Sequence, residues 1–439
     1  MRSTSRASRV AVTLAASALV LAGCGGETEP EAEPTDEETT SEATDEPTDE
    51  PTDAPAPTGD GTLTIGSLLP ASGDLEFLGP PEFAGVELAI QDINAAGGVL
   101  GQDVAYVEGD SGDGTPPIAA QTVNRLLNQK VDVVIGAAAS GVSVTVIEAI
   151  TGAGAVQFSP ANTSPSFDTP EGDPNELYFR TAPSDVLQGA VLANLATQDG
   201  HTNLGIINRQ DDYGTGLAKE ITKNFESGGG TVVANEVYAP DASNFNAEVQ
   251  GLAAAEPTAV VVVGFAESLQ IVDQMVRNGI GPKDVDVYFV DGNTSNYGSD
   301  DSVEPGLLEG VRGTLPGAEL VGEFREKILE VDPDLNDFSY AQESYDAVVV
   351  SALAAVAAGD DAGDVLGQEI IGITREGEKC TEFAACAKLL EAGEDIDYDG
   401  YSGPIEMNEW GSPSAAFMGV YEYGSDNNYT PVEFIQGQI

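Results

Sequence analysis

The sequence predicts a doubly wound α/β protein built as two Rossmann-like lobes, and three observations carry that prediction. From residue 62 onward, short β-rich runs alternate with amphipathic helical stretches. Runs such as AVVVVG (259–264) are apolar at every position, as expected of parallel strands covered by helices on both faces. The strand and helix pairs are too numerous for one sheet, and 439 residues accommodate two to three domain-sized units.

The first 60 residues stand outside that pattern. Arg2, Arg6 and Arg9 precede an apolar run from Val10 to Ala22, which ends in Leu21-Ala22-Gly23-Cys24. A basic stretch, a short apolar run and small residues read as a secretory signal (1–23), too short to span a bilayer permanently. The LAGC ending resembles the lipobox of bacterial lipoproteins. That resemblance implies lipidation of Cys24 and tethering to the outer face of the cell membrane. The alternative is ordinary secretion, which leaves Cys24 as a reactive spare thiol. Residues 27–60 hold 14 Asp/Glu, 8 Thr and 6 Pro with no Lys or Arg. Such a segment cannot bury enough surface to offset chain entropy, so 24–60 is expected to be an acidic, disordered leash.

Within the folded part, TLTIGSL (62–68) reads as a strand. A helix follows from about Phe83, with Val86, Ala89, Ile90 and Ile93 on one face and Gly97-Gly98 as its stop. VDVVIG (131–136) precedes a helix running to about Ala153, NLGIIN (203–208) precedes 216–225, and AVVVVG precedes 269–276. Ligands in such sheets bind beyond the carboxyl ends of the strands, so the loops after each strand are the candidate site.

Charge and composition exclude several functions. The chain has 17 Lys+Arg against 74 Asp+Glu, a net charge of -57. Such a chain lacks the cations needed to displace counterions from nucleic-acid phosphates or to hold an anionic membrane surface. After signal and leash are removed, residues 61–439 keep 60 acids and 14 bases, a net charge of -46. This excess reads as adaptation to a saline environment. A zinc site or a nucleophilic triad would have to be built around the single histidine, His201. Dinucleotide, Walker, HExxH and GxSxG motifs are absent. Asp395, Asp397, Asp399, Gly400 and Glu406 do match the spacing of a calcium loop. Gly403-Pro404 would obstruct the exiting helix, so a polar turn leading into a strand at 404–407 is preferred. The acidic loop Glu108–Asp113 is read as a solvated strand end. No metal and no cofactor is expected, and an enzyme is disfavoured.

The segment 65–110, IGSLLPASGDLEFLGPPEFAGVELAIQDINAAGGVLGQDVAYVEGD, resembles the opening of the leucine/isoleucine/valine-binding family, the type I periplasmic solute-binding proteins of ABC importers. VVIGAAASG (133–141), VQFSPANTSP (156–165), DDYGTGLA (211–218), FVDG (289–292), SYDAV (344–348) and IDYDGYSGP (396–404) agree in order and spacing. The resemblance covers almost all of 62–430. It implies two lobes, 61–181 plus 317–402 and 182–316 plus 403–439, joined by three crossings and closing on a ligand in the cleft.

It also implies roles for particular residues. Ser140, with Gly141 beside it, takes the position that holds a ligand α-carboxylate, and a hydroxyl with helix N-terminal N–H groups makes a sound anion site. Otherwise Ser140 is a plain N-cap. Ala161 offers a carbonyl to the ammonium, and Thr163 a hydroxyl and N–H to the carboxylate; otherwise the segment is a turn. Asp291 faces the ammonium, or else caps the following turn. Tyr213 is a cleft-wall aromatic, or else a core or hinge residue. Leu78 and Phe77 cover the ligand side chain, or else the first helix. Phe265 stands where some members have tyrosine, which removes a possible hydrogen bond. With Ala137–Ala139 beside the site, the pocket is expected to be roomy and apolar, suited to a branched or aromatic amino acid. Amides, urea and aromatic acids remain open. Cys380 and Cys386, six apart, are expected to pair outside the cell, the alternative being two buried thiols. The implied protein is a monomeric, extracytoplasmic binder that serves permease subunits of an importer or, alternatively, a sensor.

Overall fold

The computed structural model describes residues 58–115, 117–300 and 302–439. The signal, Cys24 and the leash through residue 57 lie outside the described residues.

The first sheet has the order β2-β1-β3-β4-β5: β1 Thr64–Leu68, β2 Ala105–Val107, β3 Val133–Gly136, β4 Val156–Ser159 and β5 Tyr178–Arg180. All its pairings are parallel. Helices α1 Gly79–Ala95, α2 Ala119–Asn128 and α3 Ser140–Thr151 connect these strands. Helix α1 starts four residues before the expected Phe83, because Pro80 and Pro81 sit in its first turn, where no N–H is required. Pairing of Leu68 with Gly136 brings the ends of β1 and β3 level, so the loops after them share one edge.

The second sheet has the order β15-β14-β10-β9-β8-β6-β7. Its parallel part comprises β6 Asn203–Arg209, β7 Thr231–Tyr238, β8 Ala259–Val263, β9 Asp286–Phe289 and β10 Arg312–Pro316. The connecting helices are α4 Asp185–Gln198, α5 Asp212–Ser227, α6 Asn246–Ala254 and α7 Ser268–Arg277. Helix α5 begins earlier than the sequence suggests because the Asp211 carboxylate accepts the Gly214 N–H at 2.8 Å.

After β10 the chain returns to the first lobe through α8 Gly322–Val331, α9 Ala341–Ala358, α10 Gly363–Leu366 and α11 Phe383–Glu391. Strands β11 Glu378–Cys380, β12 Ile396–Gly400 and β13 Gly403–Pro404 form a small third sheet. Helix α9 is buried from Ala341 to Ala355 and packs against α1, which makes it the spine of the first lobe. The antiparallel hairpin of β14 Ala415–Tyr423 and β15 Tyr429–Gln438 then closes the second sheet beside β10. The chain thus passes between lobes three times: after β5, after β10 and after β13. No helix among the described residues is long and apolar enough to cross a membrane.

Cys380 and Cys386 form the disulfide, with Cα atoms 5.5 Å apart. Two local expectations need correction. Of the acids in the calcium-like spacing, Asp397 and Asp399 lie on strand β12, which precedes the Gly403 turn and does not follow it. Lys379 Nζ stands 3.0 Å from Asp397 and from Asp399 and 3.8 Å from Glu406, so a lysine ammonium lies among these carboxylates. The Glu108–Asp113 loop is not simply solvated either. Asp110 accepts from the Ala71 N–H (3.0 Å) and the Ser72 hydroxyl (2.7 Å), and Asp113 accepts from the Asp74 N–H (2.6 Å). These bonds fix the loop after β1. Gly73 is required there: its φ is +95°, and a Cβ would lie 2.6 Å from the Asp113 carboxyl carbon.

Residues 58–62 are fastened to the first lobe beyond α9. Asp360 accepts from the N–H groups of Thr58 and Gly59 at 2.6 and 2.9 Å. Asp361 accepts from those of Asp60, Gly61 and Thr62 at 2.9 to 3.2 Å.

Candidate ligand cleft

The lobes meet along the carboxyl ends of their parallel strands, and loops from both sides are joined by hydrogen bonds. Ala266 N–H donates to the Asp74 carbonyl (3.0 Å), the Ser164 hydroxyl donates to the Asp212 carbonyl (3.3 Å), and the Ser166 hydroxyl donates to the Asp212 carboxylate. The cleft is closed in this arrangement.

The first lobe's wall is backbone and small side chains. Strand β3 runs into Ala137–Ala139 and then the N-terminus of α3, where Ala139 is the N-cap and Ser140 the first helical residue. The plain N-cap role for Ser140 is therefore not what is seen; its hydroxyl accepts from Ser164 N–H at 3.3 Å. Facing it is the loop after β4. Asn162 donates from its amide to the carbonyls of Ala137 (2.9 Å) and Ala138 (2.7 Å), which ties the two loops together. Arg180, fully buried at the end of β5, donates to the carbonyls of Asn162 (3.1 Å) and Ser164 (2.9 Å). It also forms a two-pronged ion pair with Asp168, at 2.8 Å to each oxygen. The Ala161–Ser164 loop is thus held from behind by a charged residue that does not line the gap.

The second lobe's wall is aromatic and acidic. Asp291, directly after β9, is 4 % exposed. Its carboxylate accepts from the Tyr213 hydroxyl (2.6 Å) and the Tyr340 hydroxyl (2.7 Å). It does not cap the following turn, a task Asn293 performs by accepting Val290 N–H at 2.8 Å. Tyr213 stacks on Phe265 with ring centres 5.8 Å apart. The Arg209 guanidinium lies 3.8 Å from the centre of the Phe265 ring and pairs with Asp211 (2.6 Å) and Glu267 (2.8 Å). Glu267 in turn accepts from Phe265 N–H at 2.9 Å, so the ring is fixed by its own backbone and by the cation beside it.

Between these walls is a narrow gap with about 250 Å³ of space between atoms. Of the residues singled out from sequence, Leu78, Ser140, Ala161, Tyr213, Phe265 and Asp291 line it together. Phe77, Gly141 and Thr163 do not. Phe77 is half-buried against the core near the gap, and Gly141 faces Asp211. Thr163 lies behind the wall, where its carbonyl accepts the Asp185 N–H at 2.7 Å. The expectation of a roomy pocket fails because Tyr340 and Leu75 also enter the gap.

Two residues not anticipated from sequence change its chemistry. Tyr340 comes from the turn before α9 and has a φ of +60°. Asp185, the first residue of α4, is fully buried, and neither carboxylate oxygen has a hydrogen-bond partner. Burial, then the charge of Asp291, pushes the Asp185 carboxyl well above its ordinary range. Burial also raises Asp291, although the hydrogen bonds from Tyr213 and Tyr340 oppose the shift. Two buried acids without a cation between them are unfavourable, and a cationic group in the gap would relieve that strain. Across the gap, the Ser140 end of α3 presents N–H groups suited to an anion. An acidic wall opposite an amide wall is complementary to a small molecule carrying both charges.

A family description, periplasmic binding protein, matches residues 62–418. A chemotactic signal transduction system substrate-binding protein of Halobacterium salinarum is 24 % identical over 369 residues, covering 81 % of this chain and 86 % of that protein. The branched-chain amino acid transporter substrate-binding protein LivJ of Streptococcus pneumoniae, solved with isoleucine, superposes with a TM-score of 0.69 at 20 % identity, covering 86 % of this chain and 100 % of that one. A solute-binding protein of an R. palustris ABC transporter, solved with 4-hydroxybenzoate, superposes with a TM-score of 0.70 at 16 % identity, covering 86 % and 98 %. The two structural likenesses show a common two-lobe fold.

Proposed function

The chain belongs to the periplasmic binding protein family, in its type I, Leu/Ile/Val-binding branch, and from that premise we propose that it captures an amino acid outside the cytoplasm and delivers it to the permease of an ABC importer. The observation that carries this reading is the pairing of Asp291, held by two tyrosine hydroxyls and backed by Asp185, with the amide-rich wall at Ser140. The ammonium sits at Asp291 and Ala161, the carboxylate at Ser140, and an apolar side chain lies among Leu75, Leu78 and Phe265. Closure brings the two walls together and follows from a ligand that touches both only in the closed state. In this reading the ligand is bound and released unchanged, and no covalent chemistry is required.

The narrow gap favours a side chain no larger than a branched aliphatic one. Lobe limits of 61–181 plus 317–402 and 182–316 plus 403–439 go with this reading, as do a monomeric state and a lipid anchor at Cys24 on the outer face of the cell membrane. The R. palustris neighbour was solved with an aromatic acid. A ligand of that kind carries no cation for Asp291 and Asp185, which disfavours it here. The Halobacterium relative's description favours a second reading, capture of the same ligand for a sensor.

A thermal-shift screen of the purified protein against amino acids, amides, urea and aromatic acids tests the reading. A ligand present at 100 times its dissociation constant stabilises by about 2.7 kcal/mol. A shift with branched-chain amino acids supports the proposal. A shift with 4-hydroxybenzoate or urea and none with amino acids would refute it.

A further inference from the structure

Behind the cleft, on the far side of Tyr340, lies a second and larger cavity of about 950 Å³ including its open mouth. Its walls come from both lobes: the stretch after β10, the turn before α9, and the β14–β15 hairpin. Four of its side chains, Phe338, Tyr421, Tyr429 and Phe434, are partly buried aromatics. Tyr421 stands edge-on to Tyr429, with ring centres 5.0 Å apart at 75°, and to Phe434, at 6.1 Å and 84°. Rings set at right angles in this way present both faces and edges to one space.

The cavity also contains an acid with no counter-charge. Glu343, in the first turn of α9, lines it while being only 3 % exposed. Among the described residues, no cation pairs with its carboxylate, which accepts only from its own backbone N–H. Gln342 beside it has a buried side-chain oxygen with no hydrogen-bond partner. None of the lining residues is basic, and Glu319 adds a further acid. Burial pushes the Glu343 carboxyl up to about 8, as happens when an acid is enclosed without a counter-charge.

This chemistry selects a ligand class. An anion is opposed by Glu343 and Glu319. A hard metal ion needs six or more oxygen ligands, and rings supply none. A soft organic cation gains from both the ring faces and the carboxylate. Phe338 already stacks near a cation, with the exposed Arg325 guanidinium 5.2 Å from its ring centre.

We propose that this cavity, formed by Phe338, Tyr340, Tyr421, Tyr429 and Phe434 around the Glu343 carboxylate, is a second binding site, which takes an alkylated or quaternary ammonium ion. The site sits at the hinge. The Glu343 carbonyl accepts from the Thr181 hydroxyl (2.9 Å) at the first crossing between lobes. At the second crossing, Gly317 packs so tightly that a Cβ there would lie 2.6 Å from Glu343 Oε1. Tyr340 is shared, since its ring lines this cavity while its hydroxyl donates to Asp291 in the cleft.

Calorimetric titration of the purified protein with tetramethylammonium chloride, against sodium chloride at the same ionic strength, tests the proposal. The expected result is saturable binding at one site, weakened at least tenfold by Glu343→Gln. Tyr421→Leu, a change at a partly buried ring, weakens it by a similar factor and decides the matter should Glu343→Gln not fold. Heat no different from that of sodium chloride would overturn the proposal, as would binding unchanged by these substitutions.

Discussion

The two walls of the cleft reach rigidity by the same device and differ in what they offer a ligand. Each is fixed by a buried arginine that stays out of the gap: Arg180 behind the Ala161–Ser164 loop, and Arg209 behind Phe265. Each arginine is matched by acids, Asp168 in one lobe and Asp211 with Glu267 in the other. In front of them, the first wall presents amides and a hydroxyl without formal charge, and the second presents an acid among aromatic rings. The difference teaches that cations here position loops, while the surfaces turned to the gap offer backbone dipoles on one side and a carboxylate on the other.

The largest effect comes from breaking the shared device. Replacing Arg180 by Met leaves Asp168 and two carbonyls without their buried donor, and loss of one partner of such a pair costs about 3–5 kcal/mol. Urea unfolding of Arg180→Met should show that loss; Arg209→Met should show a similar one, together with weaker ligand binding from a freed Phe265 ring.

Next comes the acid that distinguishes the second wall. Asp291→Asn should weaken amino-acid binding by about 2–5 kcal/mol, roughly 30-fold to several thousand-fold by calorimetry. The unliganded variant should be no less stable than the parent, because a buried charge beside Asp185 has been removed. The pH dependence follows the same logic. Both acids are raised above the ordinary carboxylate range, so the folded chain holds protons there that the unfolded chain releases. Stability of the unliganded protein contributed by these groups is present at low pH and is lost as pH rises through their folded range. Ligand affinity changes in the opposite sense over that interval, since an ammonium favours ionised Asp291. Titrations at a series of pH values check both slopes, and Asp185→Asn should flatten the first.

Tyr213→Phe removes one hydrogen bond to a charged acceptor, so a loss of about 1.5–3 kcal/mol in affinity is expected. The smallest effect belongs to the amide wall: Ser140→Ala should cost about 1 kcal/mol in affinity, since backbone N–H groups remain. A Ser140→Ala loss equal to that of Asp291→Asn would erase the contrast between the walls.

Much of this was legible in the sequence because it lies directly after apolar strands, where a loop's position follows from the strand before it. Ser140, Ala161, Phe265 and Asp291 all lie in loops of that kind, and the resemblance to the Leu/Ile/Val-binding family singled them out there. Tyr340 was not, because it occupies a left-handed turn between two helices and belongs to no periodic pattern. Asp185 follows Ser184 in a sequence that reads as an ordinary helix start, and only tertiary packing buries it. The β14–β15 hairpin escaped notice because Pro431 lies within β15 and neither run is continuously apolar; its outer strand is an edge, where proline is tolerated. The roomy pocket inferred from Ala137–Ala139 was wrong for the same reason that Tyr340 was missed: a residue from a distant segment fills the space.

The central claim, that the cleft binds a molecule with an ammonium at Asp291 and a carboxylate at Ser140, is tested most directly by calorimetry with isoleucine and with its deaminated analogue, 3-methylpentanoate. The structure predicts saturable binding of isoleucine and loss of at least a hundredfold in affinity for the analogue. Equal affinity for the two would contradict the assignment of Asp291.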